Sequence, residues 1–480
     1  MAIVDPFEDP AFQEFSENRK ALWNSLAKKQ KKIDWSKQYH RRLKEVVRTI
    51  IPEASSMIEI GCGAGHLLAA LKPAHGVGID FSEQRIADAK KNYDQLNFML
   101  ADAHKLPEIN EKFDFVVLSD LVNDVWDVQT VLDQIRPLLH NQSRILINFY
   151  SRFWEIPLKI AQKIKVAKPV AAQNWLTVED MENLLHLCDM ELIRSWHEVL
   201  MPFRIPLLDG FFNRYLARFW PFNNFCMTNM MLARPKANPL KKDVSVSVVV
   251  AARNEAGNIR QIFERVPTMG TETEIVFVEG HSSDNTYEMI QETAKDFERP
   301  CQIFQQRGVG KGDAIRMGFQ HAKGDILMIL DADLTVPPED LPRFYQAIMS
   351  GHGDFINGVR LVYPMQQEAM RFFNFLGNKF FSLAFSWLLG QSIKDTLCGT
   401  KVLWKLDYEK IAANRSYFGD FDPFGDFDLI FGAVKQNARI IDLPIRYRER
   451  TYGSTNIERW KHGLLLLRML RIAAKRIKFV

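Results

Sequence analysis

Short apolar runs alternate with helical segments along both halves of the chain, and most runs end in glycine or acidic residues. In the first half we predict strands at 56–60, 76–79, 97–100, 113–118 and 143–149. A helical region rich in Lys and Arg, 10–51, precedes them, and a helix from about His66 to Leu71 follows the first strand. This alternation predicts a doubly wound α/β sheet that binds its ligand at the carboxyl ends of the strands.

The second half repeats the alternation, with strands predicted at 244–252 and 274–278 and a third that ends at Asp331. Between the halves, 233–243 holds two prolines and four basic residues, which is typical of a linker. The predicted order is a first α/β domain over 1–235, a linker over 236–243, a second α/β domain over 244–457 and a C-terminal amphipathic helix over 458–480.

The composition is that of a folded globular protein, with 47% hydrophobic and 25% charged residues and a net charge of +4. This small net charge argues against nucleic acid as a partner, although the last 35 residues hold ten Lys and Arg against two Glu. Five scattered cysteines without a CxxC pair argue against disulfides and zinc. We find no signal-peptide pattern and no apolar run near the ~20 residues that span a bilayer. We therefore expect a cytoplasmic protein, of open oligomeric state.

Asp331 and Asp333 follow the apolar run 326–330 and stand one residue apart. Side chains alternate along a strand, so both carboxylates would point to one side and repel each other unless a cation lies between them. Mg²⁺ and Mn²⁺ prefer oxygen ligands of this kind and retain contacts with substrate phosphates. The pair therefore predicts a metal site for a nucleotide diphosphate, and the alternative is an exposed acidic turn.

A glycine loop follows the first predicted strand, and acidic residues stand at nearby strand ends. The residues are Glu59, Gly61, Gly63, Gly65, Asp80 and Asp102. Glycine lets a ligand approach the backbone, and an acidic residue at the end of the next strand suits the hydroxyls of a ribose. Over 15–233 this pattern resembles the class I S-adenosylmethionine-dependent methyltransferases.

That resemblance implies a Rossmann-like domain that binds S-adenosylmethionine. Asp80 would hold the ribose hydroxyls, Asp102 and Ala103 the adenine, and the glycine loop the methionine part. Asp120 would line the sulfonium side. The alternative is a nucleotide-like fold that has lost its ligand.

The methyl acceptor is less well defined by the sequence. The segment after the fourth strand lacks the Asn-Pro-Pro-aromatic pattern of enzymes that methylate exocyclic amines. A hydroxyl acceptor is therefore the hypothesis, with Asp120, Asp124 or His104 as the candidate general base. For each of them the alternative is a helix cap or a surface residue.

A second set of ordered motifs runs over 244–457. Its elements include Ala252-Arg253-Asn254-Glu255, Glu279, Ser283-Asp284-Asn285-Thr286, Lys311-Gly312-Asp313, Asp331-Ala332-Asp333, Gly358-Val359-Arg360 and Asp395-Thr396. These motifs resemble the family 2 glycosyltransferases, especially the branch of dolichyl-phosphate mannose synthase and bacterial polyprenyl-phosphate glycosyltransferases. The resemblance implies a GT-A type domain that transfers a sugar from a nucleotide-sugar to polyprenyl phosphate with inversion.

The same resemblance implies roles for individual residues. The nucleotide-sugar site would comprise Ala252, Arg253, Glu255, Glu279, Asp284, Lys311, Asp313, Asp331 and Ala332. Asp331 and Asp333 would bind Mg²⁺ or Mn²⁺ and the diphosphate. Arg446, Arg448 and Arg450 would neutralise phosphates. The sequence departs from the family at Glu279, where many relatives have paired aspartates, and at Thr335, where some have a Gln metal ligand.

Arg360 and Asp395 bear on the acceptor. By resemblance, Arg360 would meet the acceptor phosphate or the leaving diphosphate. Asp395 is a candidate base for a hydroxyl acceptor. A phosphate acceptor is already largely dianionic at neutral pH and needs no strong base, so in the resembled branch Asp395 would instead orient the sugar or an arginine.

Three aromatic and basic segments favour contact with an anionic membrane surface: 201–220, 370–390 and the final helix. In the final helix Arg468, Arg471, Lys475 and Lys478 are spaced as one face beside apolar residues. Such helices bind anionic lipid, and the alternative is a helix packed on the domain. If 201–220 also faces lipid, both sites would address one membrane-bound substrate.

The leading interpretation is a bifunctional enzyme bound peripherally to the cytoplasmic membrane face. It would glycosylate polyprenyl phosphate and methylate the product or a related glycolipid. One alternative is a polysaccharide synthase with a hydroxyl acceptor, for which Asn456, Arg459 and Trp460 nearly match a Gln-x-x-Arg-Trp element. The other is a regulatory S-adenosylmethionine-binding domain.

Overall fold

The computed structural model describes residues 6–28, 36–164, 172–237, 239, 243–360, 362–363, 372–417, 425–450, 452 and 459–480. The chain divides into two units. The first comprises Met1–Lys236 with Phe479–Val480, and the second comprises Ala237–Lys478. Each unit has its own seven-stranded sheet and its own apolar cores, so the predicted class of two doubly wound α/β domains is confirmed.

The sheet of the first unit is parallel except for one strand, which lies next to an edge strand. Its strands are β1 (Ser56–Ile60), β2 (His75–Asp80), β3 (Asn97–Leu100), β4 (Phe113–Ser119), β5 (Leu139–Tyr150), β6 (Met190–Glu198) and β7 (Thr228–Pro235). They lie in the order β3-β2-β1-β4-β5-β7-β6, with β7 antiparallel to both neighbours. The central strands are apolar throughout because both faces of the sheet are covered. In β1, Met57 enters one core while Ile58 and Ile60 enter the other.

Helices flank this sheet. They are α1 (Pro10–Lys28), α2 (Ser36–Ile50), α3 (His66–Leu71), α4 (Glu83–Asn92), α5 (Val128–Ile135), α6 (Glu155–Lys163), α7 (Val178–Leu187) and α8 (Leu208–Arg214). The predicted helix after the first strand is confirmed as α3. Local signals set other starts, since Asp127 caps α5, and Thr177 and Asp180 form a reciprocal capping box on α7.

The segment 233–243 is not a linker over its whole length. Strand β7 continues to Pro235 and pairs with β5 and β6. Arg234 is buried in this strand and makes an ion pair with Glu191 of β6 at 2.6 Å. Proline and basic residues predicted a loop from local composition, but pairing with an acidic residue across the sheet overrides that preference. The division between the units falls at Lys236.

The sheet of the second unit is mixed. Its strands are β8 (Val246–Ala252), β9 (Thr273–Glu279), β10 (Cys301–Gln305), β11 (Ile326–Ile329), β12 (Phe355–Val359), β13 (Lys401–Trp404) and β14 (Ile440–Pro444). The order is β10-β9-β8-β11-β13-β12-β14, and β13 is antiparallel to β11 and β12. Val248 and Val249 of β8 enter cores on opposite faces.

The helices of this unit include a pair near the end of the chain. The helices are α9 (Ile259–Arg265), α10 (Thr286–Lys295), α11 (Lys311–His321), α12 (Leu341–Met349), α13 (Phe372–Leu389), α14 (Lys405–Ala413), α15 (Asp426–Lys435) and α16 (Arg459–Ala473). A π-helical turn, Ala474–Lys478, follows α16. Helix α16 packs against α13 and buries Leu466, Met469 and Ala473. Within the described ranges, no helix is long and apolar enough to cross a membrane.

Candidate active sites

In the first unit the glycine loop turns sharply at the carboxyl end of β1. Gly61, Gly63 and Gly65 have φ angles of +77°, +55° and +74°, a left-handed conformation that favours glycine. A Cβ atom on Gly63 would lie 2.7 Å from a guanidinium nitrogen of Arg85. A side chain at Gly63 would therefore meet Arg85. Because the three loop residues are glycines, a ligand could approach the loop backbone.

Two carboxylates hold this loop in place. Asp80 ends β2 and accepts hydrogen bonds from Gly63 N at 2.8 Å and Ser82 N at 2.9 Å. Glu59, inside β1, accepts one from Leu68 N at 3.0 Å. Burial raises the pKa of Asp80 above its usual value and raises the pKa of Glu59 to about 8. Glu59 is thus largely protonated at neutral pH.

Asp102 and Ala103 follow β3, as predicted. Burial raises the pKa of Asp102, but hydrogen bonds from His104 outweigh it and hold that pKa below its usual value. His104 Nδ1 lies 2.7 Å from Asp102 Oδ1, and its Nε2 accepts from the amides of Trp126 and Asp127. Because both ring nitrogens are engaged, this arrangement argues against His104 as a general base.

Asp120 differs from the other candidate base, Asp124. Asp120 follows β4 with a φ angle of +55°, and its Oδ1 accepts from Tyr39 Oη at 2.5 Å and Asn148 Nδ2 at 2.6 Å. Burial raises its pKa to about 6, even though both hydrogen bonds lower it. Both oxygens of Asp124 are engaged, one by Arg19 and the other by the indole of Trp23. Asp120 therefore has the charge and the pKa that suit a base at neutral pH.

Helix α1 brings polar side chains to this edge of the sheet, which the sequence did not reveal. Ser16 donates to Asp102 at 3.4 Å, Asn24 accepts from Ser82, and Trp23 stacks under the guanidinium of Arg85 at 4.5 Å. Residues 16, 19, 23 and 24 recur at helical spacing, which was the available signal. Tyr39 and Asn148 were also missed, because each lies far in sequence from Asp120.

In the second unit the predicted carboxylates meet beyond the ends of adjacent parallel strands. Glu255 lies three residues after β8, Glu279 ends β9, and Asp331 and Asp333 follow β11. We expected Asp331 and Asp333 to point to one side because side chains alternate along a strand. That reason was wrong. Strand β11 ends at Ile329, and the aspartates belong to a turn in which Leu334 has a φ angle of +55°.

Each aspartate of this turn contacts a basic side chain. Lys311 Nζ donates to Asp331 at 2.6 Å, and Arg450 donates to Asp333 at 2.7 Å. Burial raises the pKa of Asp331, but Lys311 outweighs it and holds that pKa below its usual value. A Cβ atom on Gly399 would lie 2.2 Å from a carboxylate oxygen of Asp331, so only glycine fits there.

Asp395 is fully buried and binds Arg360 through both oxygens. Arg360 Nε donates at 2.7 Å and a terminal nitrogen at 2.9 Å, while Asn378 donates at 3.1 Å. Burial raises the pKa of Asp395, but Arg360 outweighs it and keeps that pKa below its usual value. Arg360 also lies 5.2 Å from the ring centre of Tyr447. Of the two alternatives, this geometry favours a residue that orients an arginine over a general base.

The remaining acidic candidates bind backbone or amide donors. Glu255 accepts from Asn258 at 2.7 Å and lies 3.6 Å from Arg450, and burial raises its pKa to about 7. The other contacts are Ser282 N to Glu279, Thr286 N to Asp284 and Gly308 N to Asp313. Among the neighbouring positions, Ala252 ends β8, Arg253 is exposed and Ala332 is buried.

A metal ion here would find few protein ligands. Among the described residues no group of three or more His, Cys, Asp or Glu is placed to hold one. Asp331 and Asp333 offer carboxylate oxygens, and Thr335 donates to Asp333 at 2.8 Å. This donor set fits Mg²⁺ or Mn²⁺ that takes its other ligands from a diphosphate and water.

Two protein families match the chain. A methyltransferase domain family matches residues 51–197, and glycosyl transferase family 2 matches residues 247–398. The chain therefore contains a methyltransferase domain followed by a family 2 glycosyltransferase domain. Both are domains of transferase enzymes.

Two named relatives are similar over part of their length. Undecaprenyl-phosphate 4-deoxy-4-formamido-L-arabinose transferase of Edwardsiella ictaluri is 28% identical over 227 residues, and dolichol-phosphate mannosyltransferase of Pyrococcus furiosus is 28% identical over 221 residues. The matches cover 46% and 45% of this chain, and 64% and 60% of the relatives. The chain thus spans less than two thirds of either relative.

Similar solved structures include two methyltransferases. Magnesium protoporphyrin IX methyltransferase of Synechocystis, solved with bound SAH, is 15% identical with a TM-score of 0.33, covering 47% of this chain and 98% of its own. An S-adenosylmethionine-dependent methyltransferase of Mesorhizobium loti is 17% identical with a TM-score of 0.32, covering 40% and 96%.

The raised pKa of Glu59 predicts a pH-dependent stability for the first unit. Its pKa is about 8 in the folded protein against 4.5 in an exposed carboxyl, so between these values only the folded state holds the proton. The stabilisation is complete below pH 4.5 and is lost as pH rises towards 8. We measure the free energy of unfolding with denaturant. As the pH rises from 6 to 7.5, we expect the value for Glu59→Gln to increase by about 2 kcal/mol relative to that of wild type. Glu53→Gln, at an exposed position, is the control, and parallel curves for Glu59→Gln and wild type would contradict the assignment.

Proposed function

We propose that the second unit transfers a sugar from a nucleotide-sugar to a polyprenyl phosphate. The observation that carries this proposal is the clustering of Asp331 and Asp333 with Lys311 and Arg450 beyond the ends of β8 and β11. Parallel strands bind nucleotides at this edge, and the basic side chains stabilise the charge that develops on a departing diphosphate. Both named relatives are polyprenyl- or dolichol-phosphate transferases, which supports the choice of acceptor.

The state of Asp395 favours a phosphate acceptor over a hydroxyl. A sugar hydroxyl needs a general base, whereas a monophosphate is already largely ionised at neutral pH. Asp395 accepts two hydrogen bonds from Arg360, so its role is to position that guanidinium. Arg360 then binds phosphate oxygens of the acceptor or the leaving group. Attack by the acceptor phosphate on the anomeric carbon from the side opposite the diphosphate inverts the configuration.

A divalent cation at Asp331 and Asp333 would neutralise the diphosphate when bound. Lys311 and Arg450 hold these two carboxylates in place by hydrogen bonds. Replacing either aspartate therefore removes a phosphate-binding centre and also leaves a basic side chain without its partner.

We further propose that the first unit transfers a methyl group from S-adenosylmethionine to a hydroxyl. The left-handed glycine loop, Asp80 and Asp102 fit the methionine, ribose and adenine parts of that cofactor. Asp120 would remove the proton of the hydroxyl, with Tyr39 and Asn148 orienting the carboxylate. Both of these donors to Asp120 Oδ1 are neutral, and burial leaves the carboxylate basic.

Membrane contact by the second unit is the third part of the proposal. Phe380, Leu383 and Trp387 lie exposed along α13, and Leu464 and Leu467 along α16. Arg468, Arg471 and Lys475 are exposed beside the α16 leucines. The opposite face of α16 is buried in the core, so the helix is anchored on one side and presents leucine and arginine on the other. Such a face suits anionic lipid. Asn456 of the polysaccharide-synthase element lies outside the described residues.

Asp331→Asn should reduce glycosyl transfer by at least a hundredfold. The substitution removes the negative charge with which Asp331 would bind the divalent cation of the diphosphate site and with which it pairs with Lys311. Transfer is measured with membrane extracts containing polyprenyl phosphate and radiolabelled nucleotide-sugars, while S-adenosylmethionine binding is followed by calorimetry and should stay unchanged. Glu298→Gln, an equal charge change at an exposed position of the same unit, should retain activity. Loss of both activities in Asp331→Asn would argue against independent sites.

Asp120→Asn should lower methyl transfer to lipid extracts by 10²- to 10⁴-fold, the usual contribution of a general base, without loss of cofactor binding. In wild type, transfer should rise with pH as Asp120 ionises near pH 6. Tyr39→Phe removes a hydrogen bond that lowers this pKa, so its profile should move to higher pH. Asp94→Asn, at an exposed position, is the control. Cofactor binding without any turnover in wild type would favour a regulatory domain.

Leu464→Glu with Leu467→Glu should weaken flotation of the full chain with anionic liposomes several-fold. Two carboxylates would then replace apolar contacts beside the basic face. Leu406→Glu, also at an exposed leucine of this unit, should float like wild type. Equal flotation of all three proteins would contradict the assignment of α16 to the membrane.

A further inference from the structure

Helix α6 presents its apolar side to water. None of its residues is fully buried. Ile156, Ile160 and Ile164, one turn apart, are 69%, 56% and 64% exposed. A helix of nine residues gains most of its stability by burying an apolar face. An isoleucine stripe of this kind therefore calls for a partner outside the unit.

A second exposed apolar segment joins this stripe. Phe153 meets Phe225 edge to face at 5.0 Å, and the indole of Trp154 donates to Phe225 O at 2.9 Å. The exposed side chains of the segment are Phe203, Ile205, Leu207, Leu208, Phe211, Tyr215, Phe219, Trp220, Phe222 and Phe225. Leu207 is 92% exposed and Trp220 is 80% exposed. We call these side chains, with Phe153 and the α6 stripe, the docking face.

The charges around the docking face are mainly basic. Exposed Arg152, Lys159, Lys163, Arg204 and Arg214 lie in the same two segments. Of the acidic residues there, Glu155 pairs with Lys159 at 2.8 Å and Asp209 is buried against Gln38. Protruding aliphatic and aromatic side chains among basic residues match the apolar and anionic layers of a phospholipid surface.

The docking face begins at the edge of the sheet that carries Asp120. Strand β5 ends at Tyr150. The next residue, Ser151, donates from its backbone nitrogen to Met227 O at 2.9 Å. This bond connects the residues just before α6 with those just after the second exposed segment. Asn148, two residues before the strand ends, holds Asp120. The candidate methyl-transfer site and the docking face are thus joined through β5.

We propose that the docking face lays the methyltransferase unit on the bilayer surface. The methyl acceptor is then a hydroxyl on the head group of a membrane-anchored lipid. The identity of the acceptor rests on the proposed methyl transfer. The docking rests on the exposed surface alone and is tested without an activity assay.

The first test places an environment-sensitive NBD dye at single positions of the full chain. Ile160→Cys and Leu207→Cys report the docking face, and Leu187→Cys is the matched control, since Leu187 is 66% exposed on α7 of the same unit. All carry Leu464→Glu and Leu467→Glu to weaken contact through the other unit, and the same background without an added cysteine supplies the blank. With vesicles of 7:3 phosphatidylcholine and phosphatidylglycerol, we expect several-fold brighter, blue-shifted emission at 160 and 207 only.

Charge gives a second readout. Lys159→Gln with Lys163→Gln should weaken partitioning to these vesicles by roughly fivefold per residue and leave partitioning to pure phosphatidylcholine nearly unchanged. Unchanged emission at 160 and 207 on vesicles would overturn the proposal. A dye response that needs no lipid and grows with protein concentration would also overturn it, because a second copy of the chain would then be the partner.

The acceptor is tested separately. Ile156→Glu with Ile160→Glu should lower methyl transfer to vesicle-borne acceptor at least tenfold while cofactor binding is retained. Leu187→Glu should behave as wild type. Equal transfer by the docking variant would overturn the lipid acceptor. Absence of transfer from wild type to any lipid extract would refute the proposed methylation itself, and the dye result would still decide the docking.

Discussion

A carboxylate that is taken out of water must be compensated by hydrogen bonds or by a cation, and both kinds of compensation occur among the acidic residues of this protein. In the second unit Asp331, Asp333 and Asp395 each bind a basic side chain. In the first unit Glu59 and Asp120 are held by neutral donors, and burial raises the pKa of both. Lys311 and Arg360 keep the pKa values of Asp331 and Asp395 below the usual value, whereas the neutral donors at Asp120 do not offset the effect of burial on its pKa.

The two kinds of compensation suit the two proposed reactions. Transfer of a sugar to a phosphate moves negative charge between two phosphate groups, and fixed basic side chains such as Lys311 and Arg450 would stabilise it. Transfer of a methyl group from a sulfonium to a hydroxyl releases a proton, and the site needs a base whose pKa lies near the working pH. Asp120, with a pKa of about 6, meets that need. The strained φ angle of Asp120 brings its carboxylate to the carboxyl end of β4.

The sequence predicted those parts of the fold that depend on local pattern. Continuous apolar runs identified the central strands. Acidic residues at strand ends indicated the two candidate sites, because parallel strands bring their carboxyl ends together. Contacts between segments that are distant along the chain could not be predicted from the sequence. Tyr39 contacts Asp120, 81 positions away. Arg234 lies in a segment with the composition of a linker, but it pairs in the sheet with Glu191 of β6, which is remote in sequence. Strand alternation failed at Asp331 and Asp333 because β11 stops before them.

The exposed apolar faces follow from the same constraint as the sites. A polyprenyl phosphate or a glycolipid has a polar head and a long apolar chain, and only the head carries reacting atoms. A polar site of this kind would be destabilised if the hydrocarbon chain of the lipid entered it. The carboxylates and guanidinium groups would lose more solvation free energy than the hydrocarbon chain would gain by leaving water. A site of this kind works on a lipid only if the chain stays in the bilayer and the protein comes to the surface. The isoleucines of α6 and the leucines of α16 lie exposed, and under the proposals above they are the side chains through which each unit would meet that surface.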